Sequence, residues 1–363
     1  GHDLAALILL CIAPCALAGG QSADGAHESS AVASGEGASA FALRAAGARR
    51  SPLIEDSVVH FVYRDGEATA VSVAGDFNGW NAGVDPMRRL PGTDVWHLRR
   101  VFEPDARLDY KLVVDGERWI LDPWNDRTVT GGFGPNSAFA MPAYEPPAEI
   151  ERRVDVPRGR IDTLRFRSDT LENDRDVFVY LPPGYLSGGE KRYPMLLVHD
   201  GGDYLRFGSM ATVLDNLLAA GEIEPIVGVF VDPVDRRGEY ALSSVYADAV
   251  TEELLPFIAA RYAVSTDPAR RGVMGASLGG LVSVFLSFER PDLFGFCASQ
   301  SGAFGVADDR LIRRIDAEEP RTIGLWLDWG TYEEEIASSN RRLAASLEAR
   351  GYSFGTTAVH EGH

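Results

Sequence analysis

Cysteine is scarce in this chain. It occurs three times in 363 residues, as Cys11, Cys15 and Cys297. The first two fall inside an apolar leader, so a processed chain keeps one thiol and no intramolecular disulfide. Basic charge is also in short supply. There are 35 Lys and Arg against 53 Asp and Glu, a formal net charge of −18. So acidic a chain repels phosphate backbones, which argues against a broad nucleic-acid-binding face. Outside the N-terminus no continuous apolar run approaches the roughly 20 residues of a spanning helix. No Met stands at position 1 and no basic stretch precedes Leu4 to Ala18. That segment otherwise reads as a signal-peptide core closed by Ala16-Leu17-Ala18. Residues 1–18 are therefore expected to direct export, to the periplasm or beyond, with part of the leader missing. What is present is ordinary globular material, 45% hydrophobic and 24% charged, enough for about two domains.

Residues 19–51 are rich in Gly, Ala and Ser without hydrophobic period and are expected to form a flexible tether. From 52 to 143 the texture becomes β-like. Val58–Tyr63, Ala70–Ala74, Asp94–Leu98 and Leu108–Val114 are short runs separated by turn signals such as Arg64-Asp65-Gly66 and Asp115-Gly116. They predict a small immunoglobulin-like β-sandwich. Residues 144–152, with Pro146 and Pro147, read as a linker. From 153 to 363 strand-like and helix-like stretches alternate. Val177–Leu181, Pro194–Val198, Ile226–Val231, Gly272–Met274 and Thr322–Leu327 read as strands. Ser209–Ala220, Tyr246–Tyr262, Leu278–Phe288 and Glu334–Arg350 read as helices. This alternation predicts a mainly parallel sheet with helices on both faces, an α/β-hydrolase-like architecture.

The sharpest motif is Gly275-Ala276-Ser277-Leu278-Gly279, followed by Gly280. The string recurs by chance, but here a strand-like run precedes it and an apolar helical run follows. That is the setting of a nucleophile elbow, which lifts a serine hydroxyl to the carboxyl edge of the sheet. Ser277 needs a base, and in this architecture the base comes last in the chain. Only His360 and His363 follow Ser277, and the glycine before His363 favours it. The acid belongs between them, past a late strand. Glu333, after Gly330-Thr331, is favoured over Asp328, whereas Glu334 and Glu335 suit a helix N-terminus. Backbone N–H groups of Leu278 and of Gly202 or Asp203 are the candidate oxyanion donors. Asp200, Tyr204, Arg236 and Glu239, on loops after strands, are candidates to meet substrate; for Arg236 to Tyr240 an ion-pairing, loop-bracing role is equally open. His360-Glu361-Gly362-His363 lacks the spacing of a helical zinc motif, so neither metal nor organic cofactor is expected.

From Arg158 to the end, the chain resembles the α/β-hydrolase esterase family that contains enterochelin (siderophore) esterases, esterase D and feruloyl esterases. The resemblance rests on Val179-Tyr180-Leu181-Pro182-Pro183-Gly184-Tyr185, Tyr193-Pro194 through Asp200-Gly201, and Arg236 to Tyr240. It continues through Glu253-Leu254-Leu255-Pro256, the Ser277 elbow, Pro291-Asp292-Leu293-Phe294-Gly295 and Ser299-Gln300-Ser301-Gly302. It implies a Ser277–Glu333–His363 triad, and also a C-terminal segment beyond His363 that this sequence lacks. The β-like part resembles the early-set modules related to family 48 carbohydrate-binding modules, through Ala74-Gly75-Asp76-Phe77-Asn78-Gly79-Trp80 and Tyr110 to Gly116. That resemblance implies a glycan platform at Trp80, Lys111, Trp119 and Asn136. The combined expectation is an exported serine carboxylic-ester hydrolase acting on a siderophore ester or a polysaccharide-linked feruloyl or acetyl ester. An acyltransferase and a glycan binder with a decayed hydrolase domain are the competing readings.

Overall fold

The computed structural model describes residues 35–131, 134–188 and 190–362. The expected leader, the start of the tether, Cys11, Cys15 and His363 lie outside the described residues. The chain divides into two compact units. The α/β unit contains Pro147–Gly330 and Glu334–Val359. The β unit contains the described residues from Gly35 to Pro146 together with Thr331–Glu333 and His360 to Gly362.

Among the described residues nine strands build the β unit: β1 (Leu53–Glu55), β2 (Val58–Arg64), β3 (Val71–Gly75), β4 (Arg88–Arg89), β5 (Val95–Val101), β6 (Arg107–Val114), β7 (Arg118–Ile120), β8 (Thr128–Gly131) and β9 (Gly134–Ala140). They form two sheets, ordered β1-β2-β5-β4 and β3-β6-β9-β8, with β7 paired to β6. Period-2 alternation puts Leu108, Tyr110, Leu112 and Val114 of β6 into a core with Val59, Phe61, Val73 and Phe139. Asp115 and Gly116, at φ 53° and 75°, make the turn between β6 and β7, as their dipeptide predicts.

The tether expected over 19–51 is corrected over its second half: Gly35–Ala48 is a helix. Ala42, Ala45 and Ala46 are buried with Val62, Leu90 and Val95. Alanine is the strongest helix former, and three small side chains at i, i+3 and i+4 suffice for close packing. Composition alone made the stretch look like a linker.

Eight strands form the sheet of the α/β unit: β10 (Arg160–Ser168), β11 (Asn173–Leu181), β12 (Met195–His199), β13 (Val227–Val231), β14 (Arg271–Ala276), β15 (Phe296–Gln300), β16 (Gly324–Gly330) and β17 (Phe354–Val359). Their order is β10-β11-β13-β12-β14-β15-β16-β17. Pairings up to β11–β13 are antiparallel, and all the rest are parallel. Successive residues serve opposite faces. Leu197, Val229 and Val273 join one apolar cluster, whereas Leu196, Phe230 and Met274 join another. A sheet covered on both faces needs near-continuous apolar strands, and these are. The stretch predicted as one helix from Tyr246 widens into a π-helical turn over Ala249–Leu254 before Leu255–Ala259. Pro256 lacks an N–H and crowds the carbonyl four residues back, and the wider turn accommodates it.

In the β unit, His60 and His97 meet at 2.9 Å through ring nitrogens. Burial lowers the pKa of His97 to about 4 and lowers that of His60 as well. Because the unfolded imidazole titrates near 6.5, their stabilising neutrality is lost as pH falls from about 6.5 towards 4. His97→Gln is therefore expected to lose less melting temperature than the parent between pH 7 and pH 4.5, measured by differential scanning calorimetry.

Candidate active site

Strands β12 and β14 are neighbours, yet the chain leaves β12 for β13 on one side and reaches β15 from β14 on the other. In open α/β sheets this reversal opens a crevice at the carboxyl ends. The carboxyl edge there is formed by Asp200 and Gly201 after β12 and by Ser277 after β14.

Ser277 joins β14 directly to the helix Leu278–Glu289 with φ 57° and ψ −120°, and its side chain makes no capping bond to that helix. A non-glycine residue held there is strained. Its N–H donates to the Gln300 carbonyl at 2.9 Å, and its carbonyl accepts from Leu281 and Ala303, each at 3.0 Å. The turn is this tight because its flanks carry no side chains. A Cβ on Gly275 would lie 2.6 Å from the Gly279 carbonyl carbon, and one on Gly280 would lie 2.3 Å from Ser299 Oγ. Leu278 opens the helix, so its N–H is among those without an intrahelical acceptor.

Arg236 grips Asp200 through two bonds, 2.9 and 2.8 Å. The Asp200 N–H donates to Tyr240 Oη at 3.2 Å. Tyr204 Oη donates to the side chain of Gln300, whose carbonyl holds Ser277. Three of the four substrate candidates, Asp200, Tyr204 and Arg236, thus converge on the elbow. Their polar groups already serve one another or the elbow's support.

Glu239 does not join them; this corrects the substrate reading and leaves the ion-pairing, loop-bracing one. It is buried and takes a two-point ion pair from buried Arg175 at 2.7 and 3.0 Å. It also accepts from the Val234 and Asp235 N–H groups. Its carboxylate neutralises a guanidinium sent inward from β11. Gly202 is corrected as well. Its N–H donates to Asp232 Oδ1 at 2.7 Å rather than standing open for an oxyanion. The loop was legible, but its direction was set by an aspartate at the end of β13 that no local pattern marks.

His199 is buried, and desolvation lowers its pKa to about 3. It sits 2.9 Å from Ser283 Oγ and against the rings of Tyr240 and Tyr246. It is a neutral packing group. Both acid candidates are buried: Asp328 lies within β16, its carbonyl accepting from Ser301 N–H at 2.8 Å, and Glu333 lies past the strand's end. Glu334 and Glu335 open the helix Glu334–Ala349. His360 follows β17, and its Nδ1 lies 2.7 Å from Asp105 Oδ1. Lys111, Trp119 and Asn136 share one outward face of the β3–β9 sheet, as the β6 register dictates. Trp80 instead stands in a turn and donates its indole N–H to Asp76 at 3.0 Å. Among the described residues no group of His, Cys, Asp and Glu could hold a metal ion, and no helix is long and apolar enough to cross a membrane.

Residues 168–355, more than half of the chain, match the family described as Putative esterase. The chain belongs to that family. This esterase is a carboxylic ester hydrolase. Its residues 47–125 match carbohydrate-binding module 48, the isoamylase N-terminal domain. Iron(III) enterobactin esterase of Dickeya dadantii (strain 3937) is 28% identical over 348 residues, covering 80% of this chain and 79% of the relative. An endo-1,4-beta-xylanase/feruloyl esterase of Xylanibacter ruminicola is 27% identical over 67% of this chain but only 34% of its own length. The crystal structure of an enterobactin esterase from Shigella flexneri, obtained in the presence of enterobactin, shares the fold with a TM-score of 0.70. It is 24% identical, over 86% of this chain and 90% of that one.

Two substitutions check these contacts. Gly275→Ala is expected to cost about 2–3 kcal/mol by overpacking, because the collision is with backbone. Arg175→Met strands a buried carboxylate and is expected to cost about 3–5 kcal/mol. Urea unfolding measures both.

Proposed function

We propose that this esterase hydrolyses siderophore esters through an acyl-enzyme on Ser277. The strained elbow carries the chemistry, because a serine forced to φ 57° without a capping bond serves no helix-stabilising purpose. In this reading His363 takes the Ser277 proton while Oγ attacks the ester carbonyl. Glu333 orients the imidazole and stabilises its cation. The Leu278 N–H donates to the tetrahedral oxyanion. The intermediate collapses, and His363 passes its proton to the departing alcohol oxygen. Water, deprotonated by the same histidine, then releases the acid and restores the Ser277 hydroxyl. No cofactor takes part.

The siderophore substrate is supported by likeness along four-fifths of both chains to an iron(III) enterobactin esterase. Feruloyl or acetyl esters of a polysaccharide form a second reading, favoured by the exposed Trp119 beside Lys111 and Asn136 on one sheet face. Apolar sugar faces stack on such indoles. The leader expected over 1–18 would put either reaction in the periplasm or outside the cell.

Intact-mass analysis after fluorophosphonate treatment tests the nucleophile. One adduct is expected, absent from Ser277→Ala; no adduct on a folded protein overturns the acyl-enzyme. Product chromatography on a catecholate trilactone, with and without Fe(III), and on methyl ferulate tests the substrate. Faster turnover of the trilactone is expected. Exclusive turnover of the ferulate moves the assignment to polysaccharide esters.

A further inference from the structure

The residues expected to meet substrate lie on the loops after β12 and β13, but the strained rim of the sheet reaches further. β12, β14 and β15 are successive neighbours. Each turns off into a positive-φ residue that is not glycine: Asp200 at 53°, Ser277 at 57° and Ser301 at 45°. Such conformations cost energy and gather at functional sites, where packing over-determines them. Three in a row at one carboxyl edge carry that edge from Asp200 across Ser277 to β15. All of these residues belong to the α/β unit.

Gln300 is the last residue of β15. Its backbone is fixed by register, opposite Ala276 of β14 and Asp328 of β16, and its carbonyl accepts the Ser277 N–H at 2.9 Å. Period-2 alternation puts its side chain on the sheet face of Phe296 and Ala298, where Tyr204 also packs. Tyr204 comes from the short helix Gly201–Arg206 after β12, and its hydroxyl donates to Gln300 Oε1. With β14 between β12 and β15, this bond links the two strand ends that flank Ser277. It also orients the amide. The hydroxyl takes Oε1, so Nε2 is turned away from Tyr204. Among the described residues Nε2 has no partner, and Gln300 is half-buried. A half-buried amide nitrogen carries two N–H donors that call for an acceptor. The two backbone donors expected on the loop after β12 are already engaged, Gly202 by Asp232 and Asp203 by the Asp200 carbonyl at 3.0 Å.

We infer that Gln300 is a specificity-determining residue of this esterase, its Nε2 donating to a second carbonyl oxygen of the substrate near the scissile ester. Tyr204 is the positioning residue that keeps the nitrogen of the amide, and not its oxygen, turned to the substrate. A neutral amide donor suits a neutral carbonyl acceptor, whereas a charged acceptor is better met by a guanidinium. Esters of amide-bearing acids or alcohols satisfy the donor. Plain alkyl esters leave it unpaired, which is how a polar site rejects an analogue that lacks the matching group. The inference rests on Ser277 as the nucleophile and deepens the substrate reading given above.

The test uses the full chain, with Gln300→Leu, Gln300→Glu and Tyr204→Phe, on two pairs of esters. The first pair carries the acceptor on the acyl side: p-nitrophenyl N-acetylglycinate against p-nitrophenyl pentanoate. The second carries it on the alcohol side: the acetate of N-acetylethanolamine against pentyl acetate. In each pair the ratio of kcat/KM, acceptor-bearing over alkyl, is compared between variant and parent, which cancels intrinsic reactivity. Gln300→Leu is expected to lower the ratio about 10- to 100-fold in at least one pair, because the substrate carbonyl loses its donor. The pair that responds tells which side of the ester is read. Gln300→Glu keeps an acceptor for Tyr204 but offers no N–H, and is expected to fall as far. Tyr204→Phe frees the amide to turn, and a fall of about 3- to 10-fold is expected. A parent-like ratio in Gln300→Glu means that Gln300 only holds Tyr204, which overturns the inference. Parent-like ratios for every variant in both pairs also overturn it. Tyr204→Phe removes one oxygen and decides the matter if the Gln300 variants fail to fold. Fluorophosphonate labelling separates the two claims. No adduct on the folded parent overturns Ser277 as the nucleophile, whereas adducts on every variant with unchanged ratios overturn only the role of Gln300.

Discussion

Backbone lies directly against backbone where β14 turns into the helix Leu278–Glu289, with no room for a single Cβ between Gly275 and Gly279. That contact forces the reversal of direction at Ser277 and the positive φ there. It also leaves the carboxyl ends of β12 and β14 side by side. The polar lattice around the site grows from this constraint. Gln300 holds the Ser277 N–H, Tyr204 holds Gln300, and Arg236 ties Asp200 down beside them. The sheet's two apolar faces make the elbow affordable, since a strained turn survives only where packing on both sides over-determines it.

Much of this was readable from the residues because short-range chemistry decides it. Glycines at fixed offsets around Ser277, apolar strand runs and the Asp115-Gly116 turn each act within a few residues. The two-unit architecture followed from the change of hydrophobic period near residue 150. The helix Gly35–Ala48 was illegible for a different reason. Its buried face is made of alanines, which carry little hydrophobic signal, and its stability comes from a sheet that the segment itself does not announce.

The site residues divide along the same line. Ser277 and its helix are local, and the strand-turn-helix setting expected of them is the one observed. Glu239 and Gly202 sit in loops of the right kind, but their partners, Arg175 and Asp232, come from other strands. A carboxylate on a loop looks the same in a sequence whether it faces substrate or neutralises a buried guanidinium. A loop N–H likewise looks the same whether it awaits an oxyanion or already holds an aspartate.

The return of Thr331–Glu333 and the His360 segment to the β unit bears on how the protein is made. Its β-strands leave the ribosome first, yet the unit is complete only after some 200 further residues have been added. At roughly 5–20 residues per second, that is about 10–40 s of synthesis. Throughout that interval the Glu103 and Asp105 carboxylates lack the Tyr332 and His360 side chains they later meet. The nascent β unit is thus incomplete until Thr331–Glu333 and the segment from His360 have been made.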